Sequence, residues 1–238
     1  MMQIKVVKMK KRGAPHLRLL LLSDMHGAIP HALVRRASSL APDAILLCGD
    51  MVNGSIANNQ RVLALFKKLA RIAPVLYSLG NHEDAPLPED ERALARVGVT
   101  LLDDSFVAFR GALIGGVSSG FLGGRQSAFM KTSVPDLAFL SRFSRQKGFR
   151  ILLSHHPEYY PRYIEKTDID LVLSGHAHGG QCRLFGRGLF APGQGLFPSL
   201  TDGVHGHRLI ISRGLSNTTR IPRLFNPTQM LMIELSPT

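Results

Sequence analysis

Two imidazoles one residue apart, in Gly175-His176-Ala177-His178-Gly179-Gly180-Gln181, follow directly on the apolar run 169–173. Neutral imidazole is the commonest protein metal ligand. The flanking glycines permit a sharp turn, so both rings can leave the strand's pleat and face one crevice. Alone, a His-x-His beside a turn is more often a pair of solvated residues. Four other segments repeat the arrangement: Asp24-Met25-His26-Gly27 after 17–22, Gly49-Asp50 after 44–48, Gly80-Asn81-His82-Glu83 after 75–79, and Ser154-His155-His156-Pro157 after 149–153. Each sets an acid, amide or imidazole just past an apolar run.

That mixture of carboxylate, amide and imidazole suits a pair of divalent transition metals, because borderline ions accept nitrogen and oxygen together. With one carboxylate shared, two such ions sit ~3.5–4 Å apart, clamp a phosphate and lower the pKa of a bound water. The chemistry implied is attack of a metal-activated hydroxide on phosphorus.

The elements needed to position these residues can be read from the same stretches. Continuous apolar runs suit strands covered on both faces. Helical spacing of Leu33, Val34, Ala37 and Leu40, and of Val62, Leu65, Phe66, Leu69 and Ile72, separates the first three runs. The result is a βαβαβ unit with its polar strand ends on one edge, where open α/β sheets bind ligands. Lys67, Lys68 and Arg71 read as a solvated helix face. A short helix opens at Pro88. Short apolar runs at 99–102, 105–109 and 112–117 predict antiparallel hairpins and hence a mixed sheet. A helix beginning at Val134-Pro135-Asp136 would turn Leu137, Leu140 and Phe143 inward. A short helix over 157–166 carries Tyr159, Tyr160 and Tyr163 as packing residues, and 182–203 reads as hairpin and rim. Residues 209–212 and 230–235 finish a sheet. Glycine-rich 118–131 is either a substrate loop or an ordinary connection. His205-Gly206-His207 has no acid beside it and reads as surface.

The order Asp-x-His, Gly-Asp, Gly-Asn-His-Glu, His, Gly-His-x-His across residues 24–178 resembles the calcineurin-like metallophosphoesterases. The surroundings of His155, the Gly-His-Ala-His-Gly-Gly-Gln stretch and Ser212-Arg213-Gly214 with Ile221-Pro222-Arg223 are further similar to the bacterial YkuE/YaeI-type phosphodiesterase branch. This resemblance implies a four-layer αββα sandwich of two mixed β-sheets flanked by helices. It also implies one ion held by Asp24, His26, Asp50 and His178, and another by Asp50, Asn81, His155 and His176, with Asp50 bridging. His82 would stand outside the ligand shell, stabilising transition-state charge or protonating the leaving oxygen. His156 is a second choice for the role of His155. Glu83, where many relatives carry Asp, either orients His82 or is a surface carboxylate. Arg213 and Arg223 are read either as bidentate phosphate binders or as structural ion pairs. Mn, Fe and Zn all suit the donor set.

At 238 residues and 45% hydrophobic content the chain is expected to form one metallophosphoesterase domain over 1–238, with 1–15 a basic arm or edge strand guarded by lysines. With 29 Lys+Arg against 17 Asp+Glu the net charge is +12, which favours anionic partners. Two cysteines make no disulfide framework and point to a reducing compartment; Cys48 reads as a core thiol. The basic start followed by Leu19–Leu22 is too short for a signal core, and no window approaches a membrane span. A cytoplasmic enzyme is expected, with peripheral contact at an anionic membrane. The substrate expected is a small phosphodiester, phosphomonoester or pyrophosphate, including sugar-nucleotide or lipid-linked phosphates. A non-catalytic scaffold of the same fold would have lost ligands or His82, and here all are retained. Nucleic acid is disfavoured, because 7% aromatic content and the lack of a recognition segment outweigh the charge.

Overall fold

A computed structural model describes residues 2–84, 88–119, 133–217 and 222–238. In chain order the strands are β1 (Gln3–Lys10), β2 (Leu17–Leu22), β3 (Ala44–Cys48), β4 (Val75–Ser78), β5 (Val99–Leu101), β6 (Ser105–Phe109), β7 (Ala112–Val117), β8 (Phe149–Ser154) and β9 (Leu171–Ser174). Four two-residue strands follow: β10 (Arg183–Leu184), β11 (Arg187–Gly188), β12 (Phe190–Ala191) and β13 (Gly195–Leu196). β14 (Gly203–His205), β15 (Leu209–Ile211) and β16 (Gln229–Ser236) complete the set. The helices are α1 (Leu33–Ser39), α2 (Gln60–Ala70), α3 (Pro88–Arg96) and α4 (Leu137–Ser144), with a π-helical turn at Tyr160–Ile164.

The strands form two six-stranded mixed sheets, ordered β1-β16-β2-β3-β4-β5 and β14-β15-β9-β8-β7-β6. β2, β3, β4 and β5 run parallel, each joined to the next by a crossover through α1, α2 or α3. Alternate residues of β2 serve different layers. Leu20 and Leu22 meet Leu33 and Ala37 of α1 and Val62, Phe66 and Leu69 of α2, whereas Leu19 and Leu21 face Ile151, Leu171 and Leu173 of the second sheet. The outer face of that sheet packs Leu152, Val172 and Ile211 against Phe139, Leu140 and Phe143 of α4 and Ile164. These three apolar layers make the αββα sandwich that the family resemblance implied. Phe66 is fully buried, so cutting it to alanine would cost about 3–5 kcal/mol.

β1 is an edge strand paired in parallel with β16, its lysines exposed. Cys48 is a core thiol that donates to the Leu173 carbonyl at 3.2 Å, and both cysteines are free. Residues 182–203 form two small hairpins, β10–β11 and β12–β13. Among the described residues no helix is long and apolar enough to cross a membrane.

Two local expectations change. Residues 99–101 do not join the hairpin that follows. They form β5, parallel to β4, because α3 precedes them and closes another crossover; of these three runs, β6 and β7 alone pair antiparallel, in the other sheet. Leu137 is exposed rather than inward. Asp136 caps α4 by accepting the Phe139 N–H at 2.9 Å, so Leu137 opens the first turn and the inward stripe is Phe139, Leu140 and Phe143. Most of the glycine-rich 118–131 stretch lies outside the described residues.

Candidate metal centre

The loops after β2, β3, β4, β8 and β9 meet at one rim of the sandwich and are tied together by backbone bonds. The Asp24 N–H donates to Gly49 O (3.1 Å), the His26 N–H to Asp50 O (2.9 Å) and the Gly175 N–H to His155 O (3.1 Å). Five of the chemistry-bearing residues have left-handed backbone: Asp24 (φ 53), His26 (φ 49), Asp50 (φ 55), His176 (φ 64) and His178 (φ 48). This region is disfavoured for residues with a Cβ, and Asp and His are among those that tolerate it best. The turn throws each side chain off its strand's pleat and into the rim.

Asp50 is the centre of the cluster. Its Oδ2 lies 3.6 Å from His26 Nε2 and 3.1 Å from His155 Nε2, and its Oδ1 accepts the backbone N–H of His82 at 2.9 Å. Asp24 Oδ1 lies 3.6 Å from His178 Nε2 and accepts the His176 N–H at 2.9 Å. Ligand atoms of Asp24, His26 and His178 lie within 4.8 Å of one another, and so do those of Asp50, His155 and His176. Asp24 Oδ2, His26 Nε2 and Asn81 Oδ1 are buried without a hydrogen-bond partner. Buried polar atoms are rarely left so. The donors suit a divalent cation, and Asp50 Oδ2 lies within 3.6 Å of a member of each group.

Charge reinforces the fit. Burial pushes the Asp50 carboxyl up, but the imidazoles of His155, His26 and His82 outweigh it and hold it well below the usual carboxylate range. Burial pulls His155 down, yet the Asp50 carboxylate beside it drives it up to about 10. Burial takes His178 down to about 4 and His176 well below the ordinary imidazole value. Anionic carboxylates and neutral imidazoles are the ligating forms; Asp50, His176 and His178 are already in them, whereas His155 would give up a proton on ligation.

Second contacts orient the rings. His155 Nδ1 donates to Cys48 O at 2.9 Å and His26 Nδ1 to Asn53 Oδ1 at 3.0 Å, leaving each Nε2 aimed at Asp50. His178 is arranged the other way, since Arg223 Nη2 donates to its Nδ1 at 2.9 Å. Ligation through Nε2 would move the ring proton to Nδ1 and so free that guanidinium. Arg213 instead forms an ion pair, its Nε (2.9 Å) and Nη2 (2.8 Å) both on Asp202 Oδ2.

His82 stands at the solvent side of Asp50, its ring edge-on to His26 at 4.7 Å. Its nitrogen also comes within 4.8 Å of His26 and Asp50 ligand atoms, so its exposure rather than its distance separates it from the buried donors. His156 packs on His155 at 5.4 Å and on His176 at 4.1 Å, and its ligand atom groups with those of buried Glu158 and His176. Glu83 is neither a surface carboxylate nor a bracket for His82. It is buried and accepts the N–H groups of Asp50, Met51, Val52 and Gly80 and the Tyr77 hydroxyl. Sequence reading missed Asn53, Tyr77, Glu158 and Asn226, none of which follows a strand in the pattern that marked the others. His205 donates to Asp202 O and lies in none of the donor clusters among the described residues.

Two mixed sheets between helices, with carboxylates, an amide and imidazoles gathered at one rim, define an αββα protein with a candidate metal centre. The model of the family described as calcineurin-like phosphoesterase matches residues 17–180, and the chain belongs to that family. YpbG of Bacillus subtilis is 28% identical over 218 residues, 90% of this chain and 78% of that protein. The metallophosphoesterase Cj0846 of Campylobacter jejuni is 25% identical, covering 92% of this chain and 59% of its own length. Phosphodiesterase YaeI of Escherichia coli is 28% identical over 73% of this chain and 65% of its own length. The chain thus spans about three fifths to four fifths of these relatives. Among solved structures, TT1561 of Thermus thermophilus aligns with a TM-score of 0.48 at 21% identity, over 68% of this chain and 82% of that one.

Proposed function

We propose that the chain is a metal-dependent phosphohydrolase with a binuclear centre, acting on small phosphodiesters in preference to phosphomonoesters or pyrophosphates. The observation that carries this reading is the position of Asp50 Oδ2 between His26 Nε2 at 3.6 Å and His155 Nε2 at 3.1 Å. Asp24, His26, Asp50 and His178 would hold one ion, and Asp50, Asn81, His155 and His176 the other. Such ions would neutralise phosphate charge and lower the pKa of a water. Manganese is the ion we favour.

The chain's own contributions follow from where the side chains stand. Asp50, kept ionised by its imidazole neighbours, supplies the shared negative charge. His82, at the rim, is placed to give a proton to the leaving oxygen. Desolvation of the inner part of its ring lowers its pKa, so the proton is given up more readily when the ring carries it. Arg223, in contact with His178, offers a guanidinium to the non-bridging oxygens of a phosphate. A sugar-nucleotide or lipid-linked phosphate would carry the same group to this rim.

The test is hydrolysis of bis-p-nitrophenyl phosphate by purified protein with added Mn²⁺, abolished by a chelator and restored by the ion. Metal-loaded protein that turned over nothing on a broad phosphoester panel would sink the reading.

A further inference from the structure

Three Leu-Phe pairs lie on neighbouring turns close to the metal-ligand loop: Leu184-Phe185, Leu196-Phe197 and Leu224-Phe225. Their phenylalanines are 96%, 79% and 84% exposed, and the leucines more than half exposed. All three phenylalanines have left-handed backbone, φ 48, 52 and 53. A bulky residue there is an outlier, and turn tips ordinarily use Gly, Asn or Asp. Three costly tips of identical composition, each giving its ring to solvent, are not accounted for by packing.

The turns adjoin. The Arg183 N–H donates to Leu224 O at 3.0 Å, which joins the Phe185 and Phe225 turns. Phe197 lines one cavity with Gly186, Arg187 and Gly188. The group also borders the metal centre, because the residues flanking Leu224-Phe225 both hold His178. Arg223 bonds its ring at 2.9 Å and Asn226 Nδ2 its carbonyl at 2.7 Å. Exposed Arg187 sits opposite Leu184 in the β10–β11 pair, which puts a cation beside the apolar tips in a chain with net charge +12.

We infer that these three turns dock the protein on an anionic lipid bilayer, with the phenylalanines entering the headgroup–acyl boundary and Arg187 among the headgroups. Separate protruding tips suit a fluid medium that closes around each ring. A protein partner would instead need a continuous, shape-matched patch of about 800 Å² a side. Apolar insertion and attraction to anionic lipid reinforce each other at such a surface. Docking of this kind would bring the rim carrying Asp50 to the lipid–water boundary, and it holds whether or not the centre hydrolyses phosphoesters.

The chain has no tryptophan, so Phe185→Trp is a lone reporter. With vesicles of equal parts phosphatidylglycerol and phosphatidylcholine its emission should move to shorter wavelength, and far less with phosphatidylcholine alone. Wild-type protein should co-sediment with the anionic vesicles. The triple variant Phe185→Ser/Phe197→Ser/Phe225→Ser should bind them at least about tenfold more weakly while keeping its thermal midpoint and metal content. Unshifted emission, a triple variant that sediments like wild type, or a wild-type dimer that the triple variant turns into monomer would each overturn the inference. The second result would mean adhesion by charge alone, and the third a self-association face.

Discussion

Glu83 Oε2 accepts the backbone N–H of Asp50 at 2.9 Å, so the loop that presents the central carboxylate is held by a second, buried carboxylate 33 positions further on. The two negative groups coexist because Glu83 also receives the N–H groups of Met51, Val52 and Gly80 and the Tyr77 hydroxyl. Burial and the Asp50 charge still push the Glu83 carboxyl up. Glu83→Ala would leave several buried donors unpaired, each worth about 1–3 kcal/mol. A loss of at least about 3 kcal/mol in urea unfolding is expected, together with weaker metal binding; Glu83→Gln should lose less. An alanine variant as stable as wild type would contradict this bracing role.

Asp50→Ala and His82→Ala should separate. The first removes the oxygen that lies near both His26 and His155, and elemental analysis should find metal pairing abolished. The second should leave both ions in place and lower turnover by about 10²–10⁴-fold, the range for a missing general acid. Should His82→Ala empty a site, the distinction between buried ligands and the exposed histidine would fail.

Gly49 has φ 73, and a Cβ there would overlap the His155 ring and the Gly80 backbone. Alanine in left-handed backbone costs about 1–2 kcal/mol, and overpacking about 1–3 kcal/mol more. Gly49→Ala should therefore lose about 2–5 kcal/mol in denaturant unfolding and bind metal poorly, since the displaced ring is a ligand. Near-wild-type stability and metal content would show that the ring can move without consequence.

Arg223→Ala should raise KM for a charged phosphoester by about 10–100-fold, the worth of a charge-assisted hydrogen bond. Arg213→Ala, by contrast, would break an ion pair with Asp202 that also receives Arg183 at 2.7 Å. Its effect should appear in stability, with KM little changed. Equal rises in KM for both variants would mean that the Arg213–Asp202 pair opens to meet substrate.

Much of this was present in local sequence. An apolar run ending in Gly-Asp or Gly-His-x-His states that a strand stops and that a polar group turns away, because both signals lie within a few bonds of each other. The βαβαβ order, the layers of β2, the core position of Cys48 and the identity of the strand-end residues could be read that way. Spacing along the chain, however, does not say which residues meet across it. The bond from the His176 N–H to Asp24 Oδ1 spans 152 positions and that from Arg223 to His178 spans 45, yet each is 2.9 Å long. Only the packed sheets bring those groups together. Tertiary structure alone decided that Glu83 braces Asp50, that His155 rather than His156 comes within 3.1 Å of Asp50, that β16 enters between β1 and β2, and that three Leu-Phe turns stand together beside the ligand loop. Partner choice depends on how whole layers stack, and no short window of sequence contains that information.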